Sequence, residues 1–295
     1  MTEVSIVVIN KNEDGIRDTV RGLLAHDSDY QPEIVVVDAS SGRYQGLRES
    51  HPGLTWVDFE PVPGIVTIPH QRNTGVRQAS GAVIVFVDSS CEPEPGWLNR
   101  LLAPIVAGEE ELCAGGTRGR GEGSLYAEPS AEEYLSECPT INVAFTRALF
   151  ERVGGFDESF AYGSDVDFSW RVRRAGGRIR NVPQALVIHD WGDRRRQLKR
   201  AFRYGEARAR LYANHPWQLR HGPRQDPIVF AYPLFLLLLP LALLRPLRWI
   251  PLLAVVPLVR NRGKRPFLTL ADHLCYGAGA LAFVAGRVVR IDRRR

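Results

Sequence analysis

The chain has 295 residues, 44% of them hydrophobic and 24% charged, enough to bury a full core and an appendage. Its net charge of +5 is unevenly spread: residues 1–189 carry 17 Lys and Arg against 27 Asp and Glu, and residues 190–295 carry 21 against 6. The split predicts an acidic catalytic part and a basic part that seeks an anionic partner, and the nearly pure apolar run Phe230–Leu244 excludes nucleic acid as that partner in favour of a membrane face.

The run Val4–Ile9 predicts a first buried strand that starts almost at the initiator, so a cleaved leader is not expected. A helix over Asp14–Ala25, a strand at Ile34–Val37, a helix over Gln71–Ala79 and a strand at Val83–Val87 follow, an alternation that argues a mostly parallel sheet flanked by helices. Gly115 to Glu137 is rich in Gly, Glu and Ser without clear period and reads as a loop beside the site. Pattern returns with a strand at Thr140–Phe145 and a helix at Arg147–Val153. A further helix covers Asp165–Ala175, with Ser164 as N-cap and Asp167 one turn ahead of Arg171, and a last strand at Ala185–Ile188 ends on His189. Cys91, Cys113, Cys138 and Cys275 have no Cys-x-x-Cys spacing, which argues against disulfides or a zinc knuckle.

Polar residues close three of these strands: Asn10-Lys11-Asn12, Asp38-Ala39-Ser40-Ser41 and Asp88-Ser89-Ser90. Open α/β sheets bind ligands at the carboxyl ends of strands, so these clusters are expected to line one crevice. Asp38 there suits a base or ribose, and equally a turn. Asp88 suits a divalent metal set against a diphosphate. Asp165, in the first turn of its helix, suits a general base whose ionised form the helix dipole favours, and equally an ordinary cap. His189 is a metal ligand or simply a hydrogen-bonded residue after a strand.

Longer motifs then narrow the reading. VSIVVIN at 4–10, EIVVVDASS at 33–41, HQRNTGVRQASGAVIVFVDSSCEPEPGWL at 70–98, TINVAFTRALFERVGGFDESF at 140–160 and GSDVDFSWRVRRAGG at 163–177 together resemble family 2 glycosyltransferases over about residues 3–192. The resemblance implies the nucleotide-sugar-binding GT-A fold and a single displacement at an anomeric carbon, with inversion. It implies that Asp38 and Asn10 lie at the nucleotide, that Asp88 belongs to the metal and diphosphate motif, that His189 lies near the metal, and that Asp165 deprotonates the acceptor. The implied cofactor is manganese or magnesium, and the implied donor a nucleotide sugar.

This chain departs from the family in its metal and helix motifs, and in the nucleotide motif Ala39 replaces the Asp that often follows Asp38. Asp-x-Asp becomes Asp88-Ser89-Ser90, and the Glu-Asp pair that opens the helix motif becomes Ser164-Asp165. A hydroxyl is a poorer ligand than a carboxylate for a hard cation, so Ser90 predicts a looser metal, compensated by Glu92 or a second donor-phosphate oxygen; Arg72 and Ser90 are still expected at the donor with Asp88, and Arg72 and Arg118 are substitutes on charge grounds. The same departures motivate an alternative, a non-catalytic homologue that serves as a membrane-bound assembly partner. A nucleotidyltransferase or a dinucleotide dehydrogenase would need a glycine-rich loop after the first strand, and no glycine occurs there before Gly15.

The organisation expected is a GT-A catalytic domain at 1–192, a basic interfacial helix and linker at 193–226, and an apolar membrane-associated helical region at 227–295. Pro227–Leu244 approaches the ~30 Å of a hydrocarbon core at about 1.5 Å per residue, but Pro233 and Pro240 interrupt it. Leu247–Val259 is short, and Phe267–Val289 contains Asp272, His273 and Arg287, so none reads as a clean span. Arginines flank every segment, which favours a re-entrant hairpin with interfacial helices over three crossings and over a buried helical subdomain. The protein is therefore expected on the cytoplasmic face of the cell membrane, acting on a lipid-linked or membrane-proximal acceptor.

Overall fold

The computed structural model describes residues 3–62, 67–120, 130–189, 194–260 and 266–292. Of the sequence expectations, loop segment 121–129, the junction at 190–193 and the basic clusters 261–265 and 293–295 lie outside the described residues. The chain divides into two compact units, Met1–Trp191 and Gly192–Arg295.

The first unit runs β1 (Val4–Asn10), α1 (Ile16–Leu24), β2 (Glu33–Asp38), α2 (Gln45–Ser50), β3 (Thr55–Asp58), α3 (Thr67–Gln78), β4 (Val83–Val87), β5 (Cys91–Pro93), α4 (Trp97–Val106), β6 (Leu112–Gly119), β7 (Asn142–Thr146), α5 (Arg147–Val153), α6 (Ser164–Arg174) and β8 (Arg180–His189). The described strands form one sheet in the order β3-β2-β1-β4-β7-β6-β8-β5. The pairings among β1, β2, β3 and β4 are parallel. Pairing turns antiparallel from β4 to β7 and from β7 to β6, returns to parallel between β6 and β8, and closes with antiparallel β5.

The period of two along each strand divides the core. Val4, Ile6 and Val8 join Ile34, Val36, Val83 and Val85 on one face, under Ile16, Val20 and Leu23 of α1 and Leu98, Leu101 and Leu102 of α4. Val7, Val35, Val37, Ile84 and Phe86 face the other way, onto Val76 of α3, Leu149 of α5 and Val172 of α6. Phe156 and Phe168 on that side lie 4.7 Å apart, and Phe145 stacks on Phe150 at 5.6 Å, contacts that dock α5 and α6 against the sheet.

Several expectations are corrected. Gly115–Gly119 is part of strand β6 rather than a loop, because Gly115 leaves the space that the Asn142 amide fills: a Cβ there would sit 2.2 Å from its nitrogen. Tyr134, also placed in that loop, forms a bridge to Arg180. The last strand begins at Arg180, five residues earlier than expected, and the edge strand β3 has no counterpart in the sequence reading. The N-cap of α6 is Gly163, not Ser164: the turn needs φ of 80°, which glycine adopts without steric cost, and Ser164 moves into the first helical turn.

The second unit comprises α7 (Arg194–Asn214), α8 (Gly222–Gln225), α9 (Pro227–Leu238), 3₁₀ turns through Ala254, α10 (Val255–Arg260) and α11 (Pro266–Asp292). Helices α7 and α11 meet backbone to backbone: a Cβ on Gly205 would lie 1.8 Å from the Tyr276 carbonyl oxygen, and one on Gly279 1.9 Å from that of Phe202. Arg208 pairs with Asp226 at 2.9 Å within this unit, and Tyr232 meets His273 at 3.0 Å. Pro233 does not interrupt the run as expected, since α9 passes through it, and the chain breaks into 3₁₀ turns only from Leu239, at Pro240. Residues 266–292, by contrast, form one continuous helix through Asp272, His273 and Arg287, and Pro266–Arg287 is long and apolar enough to cross a membrane. Leu234, Leu237, Leu243, Leu252, Val256 and Phe267 are all more than half exposed.

Candidate active site

Strands β1, β2 and β3 end side by side, with Asn10 in register with Asp38 and Asp38 with Asp58. The Asn10 amide donates to Asp38 Oδ1 at 3.0 Å and to Ser40 Oγ at 3.3 Å. Ser40 donates to Asp38 Oδ1 at 2.6 Å, and its oxygen accepts from the Asn12 amide at 2.7 Å. From α3, Gln71 donates to the carbonyls of Asn10 at 2.9 Å and Val37 at 3.0 Å, so the strand ends are fixed from above. Asp38 is 3% exposed and lines an open crevice of about 630 Å³ with Ser41, Gly42, Asp58, Phe59 and Glu60. The buried Asn10 Oδ1 has no hydrogen-bond partner, and Asn10 does not line the crevice.

A second cluster centres on Arg72, the neighbour of Gln71. Its Nη1 donates to Ser164 Oγ at 3.1 Å, its Nη2 lies 4.0 Å from Asp88 Oδ1, and its guanidinium stands over the Phe156 ring at 5.5 Å. Asp88 is half-buried just past the end of β4, where its amide donates to the Ile141 carbonyl at 3.3 Å. Arg72 thus joins Asp88 to the start of α6, 92 residues away along the chain.

Asp165 follows Ser164 and accepts from the Val166 amide at 2.9 Å. The helix dipole suggested a lowered pKa for it, and the structure corrects this: burial pushes the carboxyl above its usual value, against the opposing pull of Arg72. Desolvation of a carboxylate in a crevice outweighs a helix terminus, and the result is a better proton acceptor. Lower in α6, Asp167 and Arg171 form the expected one-turn pair at 2.7 Å, and Arg171 also reaches the carbonyls of Val153 and Gly155.

The remaining sequence candidates separate. His189 ends β8 in register with Cys91, three residues past Asp88. Ser90 adopts φ of 74° and turns its hydroxyl onto Gly15, 2.0 Å from where a Cβ there would stand. Glu92 pairs with Arg120, and Arg118 with Glu94 at 3.2 Å. The cysteines are all free thiols, and burial pushes Cys138, beside α6, up to about 12. Among the described residues no three His, Cys, Asp or Glu side chains form a preformed metal cage.

Two supports went unread in the sequence. Asn142 accepts from the Trp97 indole at 2.8 Å and donates to the carbonyls of Gly116 and Ala185, tying α4, β6 and β8 together behind the site. Asn73 exchanges hydrogen bonds with the Phe156 backbone at 2.9 Å and donates to Glu158 at 2.8 Å, holding the segment before α6. A lone Asn within each motif was the available signal.

The profile of glycosyl transferase family 2 matches residues 5–165, and that of glycosyl transferase family group 2 matches residues 135–260. The pre-mycofactocin glycosyltransferase of Mycobacterium tuberculosis is 33% identical over 168 residues, which cover 49% of this chain and 35% of that protein. Glycosyltransferase AglE of Haloferax volcanii is 26% identical over 220 residues, 70% of this chain and 63% of the relative. The chain thus spans about a third of the length of the first relative and under two thirds of the second. Among solved structures, the mannosyltransferase PcManGT from Pyrobaculum calidifontis, in complex with GDP-Man and Mn²⁺, superposes with a TM-score of 0.69 at 19% identity, covering 96% of this chain and 87% of its own. GalNAc-T7 with UDP, GalNAc and Mn²⁺ gives 0.55 at 20% identity, over 65% and 44%. These two likenesses establish the fold, and the family profile reaches from β1 to the carboxylate that opens α6 across more than half of the sequence: the chain belongs to glycosyl transferase family 2.

Proposed function

We propose that the protein transfers a sugar from a nucleoside-diphosphate donor to an acceptor hydroxyl with inversion, Asp165 acting as the base. The observation that carries this reading is the convergence on Arg72, which sets the carboxylate after β4 beside the first turn of α6. In a single displacement the acceptor oxygen bonds to the anomeric carbon as the bond to the diphosphate breaks, and the acceptor proton passes to Asp165. The upward push on the Asp165 pKa suits that task, because a carboxylate nearer in basicity to the hydroxyl it serves is the better acceptor. The crevice beside Asp38 takes the nucleobase and ribose, with Asn10 behind it holding the Asp38 carboxylate in place.

Asp88, just past β4, and His189, opposite Cys91, are the residues that would hold a divalent cation, offering one hard carboxylate and one imidazole. When bound, such an ion offsets the charge of the departing diphosphate. The two solved relatives, both complexed with Mn²⁺, support this choice.

The second unit anchors the protein at the cytoplasmic face of the cell membrane, and the acceptor is lipid-linked or membrane-proximal. Support comes from the exposed leucines of 234–252, the span-length α11 and the 21 basic residues after 189. The test is incubation of the full chain with GDP-mannose, UDP-N-acetylgalactosamine and related donors, plus a membrane lipid extract and Mn²⁺. Sugar should appear in the lipid fraction together with free nucleoside diphosphate, and a panel in which no donor is consumed refutes the transfer. Flotation of the full chain with anionic vesicles tests the anchor, and a chain that stays at the bottom of the gradient refutes it.

A further inference from the structure

Even half-buried guanidinium groups in this fold are spent on close partners. Arg171 has Asp167 at 2.7 Å and two carbonyls, and Arg147 donates to the carbonyls of Gly81, Val76 and Ala79 at 2.6–3.0 Å. Arg72 differs. It is 7% exposed, its ion-pair partner Asp88 stands off at 4.0 Å, and its close side-chain partner is the neutral hydroxyl of Ser164. Its Nε is buried with no hydrogen-bond partner. Its counter-charges act from a distance, Asp88 at 4.0 Å and Asp165 as a long-range pull, and a buried donor left without a partner adds to the cost of holding the cation out of water. Both costs are offset when an anion arrives, and a guanidinium fork suits phosphate oxygens in two-point contact.

We propose that Arg72, held in place by the neutral Ser164 hydroxyl, binds the donor diphosphate directly, so that the site retains affinity for a nucleoside diphosphate after divalent cations are removed. This rests on the glycosyl-transfer reading above. Ser164 matters because a hydroxyl positions the guanidinium without cancelling its charge. An acid in its place would hold the same nitrogen and spend the charge on itself.

The test is calorimetric titration of the full chain with GDP and with UDP, in EDTA and in Mn²⁺, alongside the parent nucleosides guanosine and uridine. Wild type should bind one of the diphosphates measurably in EDTA. Arg72→Gln should weaken that binding about 10- to 100-fold, the worth of a charged hydrogen bond, while leaving nucleoside affinity unchanged. Arg72→Lys should recover part of the loss. Ser164→Glu should lower diphosphate affinity in EDTA in the same direction, and Arg77→Gln, an exposed arginine of the same helix, should change nothing. Thermal melts of each variant establish that it is folded, and Ser164→Glu with Arg72→Lys carries the test if Arg72→Gln is not. Wild type that binds only with Mn²⁺, or Arg72→Gln and Ser164→Glu within twofold of wild type in EDTA, overturns the proposal while the transferase reading stands. Failure of every diphosphate to bind with Mn²⁺ present overturns both.

Discussion

Replacing Asp165 by Asn separates chemistry from binding. The amide oxygen can still accept from the Val166 N–H, now 2.9 Å from Asp165 Oδ1, so the first turn of α6 and its contact with Arg72 through Ser164 should persist. What is lost is the proton acceptor. Positioned bases contribute about 10²- to 10⁴-fold, so turnover should fall by that factor, a barrier increase of about 3–5 kcal/mol, while donor affinity stays within about twofold. Stability supplies an independent readout. Burial raises the folded-state pKa of Asp165 above its unfolded value, so the protonated form is the one the fold favours. The resulting stabilisation is complete below the unfolded pKa and is lost as pH rises through the folded one. Asn carries no charge at any pH. Asp165→Asn should therefore melt higher than wild type at pH 7–8, with the difference shrinking under acid conditions. The assay is transfer of radiolabelled sugar under saturating donor, beside nucleotide titration and melts across pH. Turnover within threefold of wild type, or a variant that loses donor binding in proportion to activity, would refute the reasoning.

In wild type the same pKa direction places the acid limb of the activity profile above the ordinary Asp range, with the rate rising as Asp165 ionises, and a flat profile down to pH 4 counts against it. Asp88→Ala should cut the Mn²⁺ dependence of nucleotide binding, and identical calorimetric affinity in Mn²⁺ for both proteins speaks against Asp88 as a ligand. Asp167→Ala strands Arg171 beside a carboxylate site 3% exposed and should cost about 2–4 kcal/mol in denaturant unfolding, a value discounted for the partial exposure of Arg171. Gly279→Val drives a side chain into the Phe202 carbonyl and should destabilise the helical unit by about 1–3 kcal/mol or more, read as faster proteolysis within 194–292 in detergent.

The sequence was most legible where one physical cause acted alone. β1, β2 and β4 are β-branched runs buried on both faces, and α5 is bracketed by Thr146, whose side chain accepts from the Leu149 amide, and by Gly154 at φ of 80°. It misled where a residue answered to a partner far away. The glycines of β6 look like a loop until the Asn142 amide occupies the vacated space. The half-exposed β3 carries only four residues, too few for a period to emerge. In the candidate site, the motifs single out Asp38, Asp88 and Asp165. The link from Arg72 to Ser164 spans 92 positions, and the turn of Ser90 onto Gly15 depends on a left-handed backbone that a serine does not announce.

Three consecutive side chains of α3 point three ways: Gln71 to the backbone of β1 and β2, Arg72 to Ser164, and Asn73 to the loop that carries Phe156. The far end of the helix is held as well, since Arg147 binds the carbonyls of Val76 and Ala79. Successive residues of a helix are about 100° apart, so these three directions span about 200° of the circumference, and with three different partners no second rotational setting meets them all. Helix α3 is therefore indexed like a key. A residue inserted between Gln71 and Asn73 would misalign the strand ends beside Asp38, the Arg72–Ser164 contact and the approach to α6 at one stroke, whereas single substitutions at these positions fail one lock at a time.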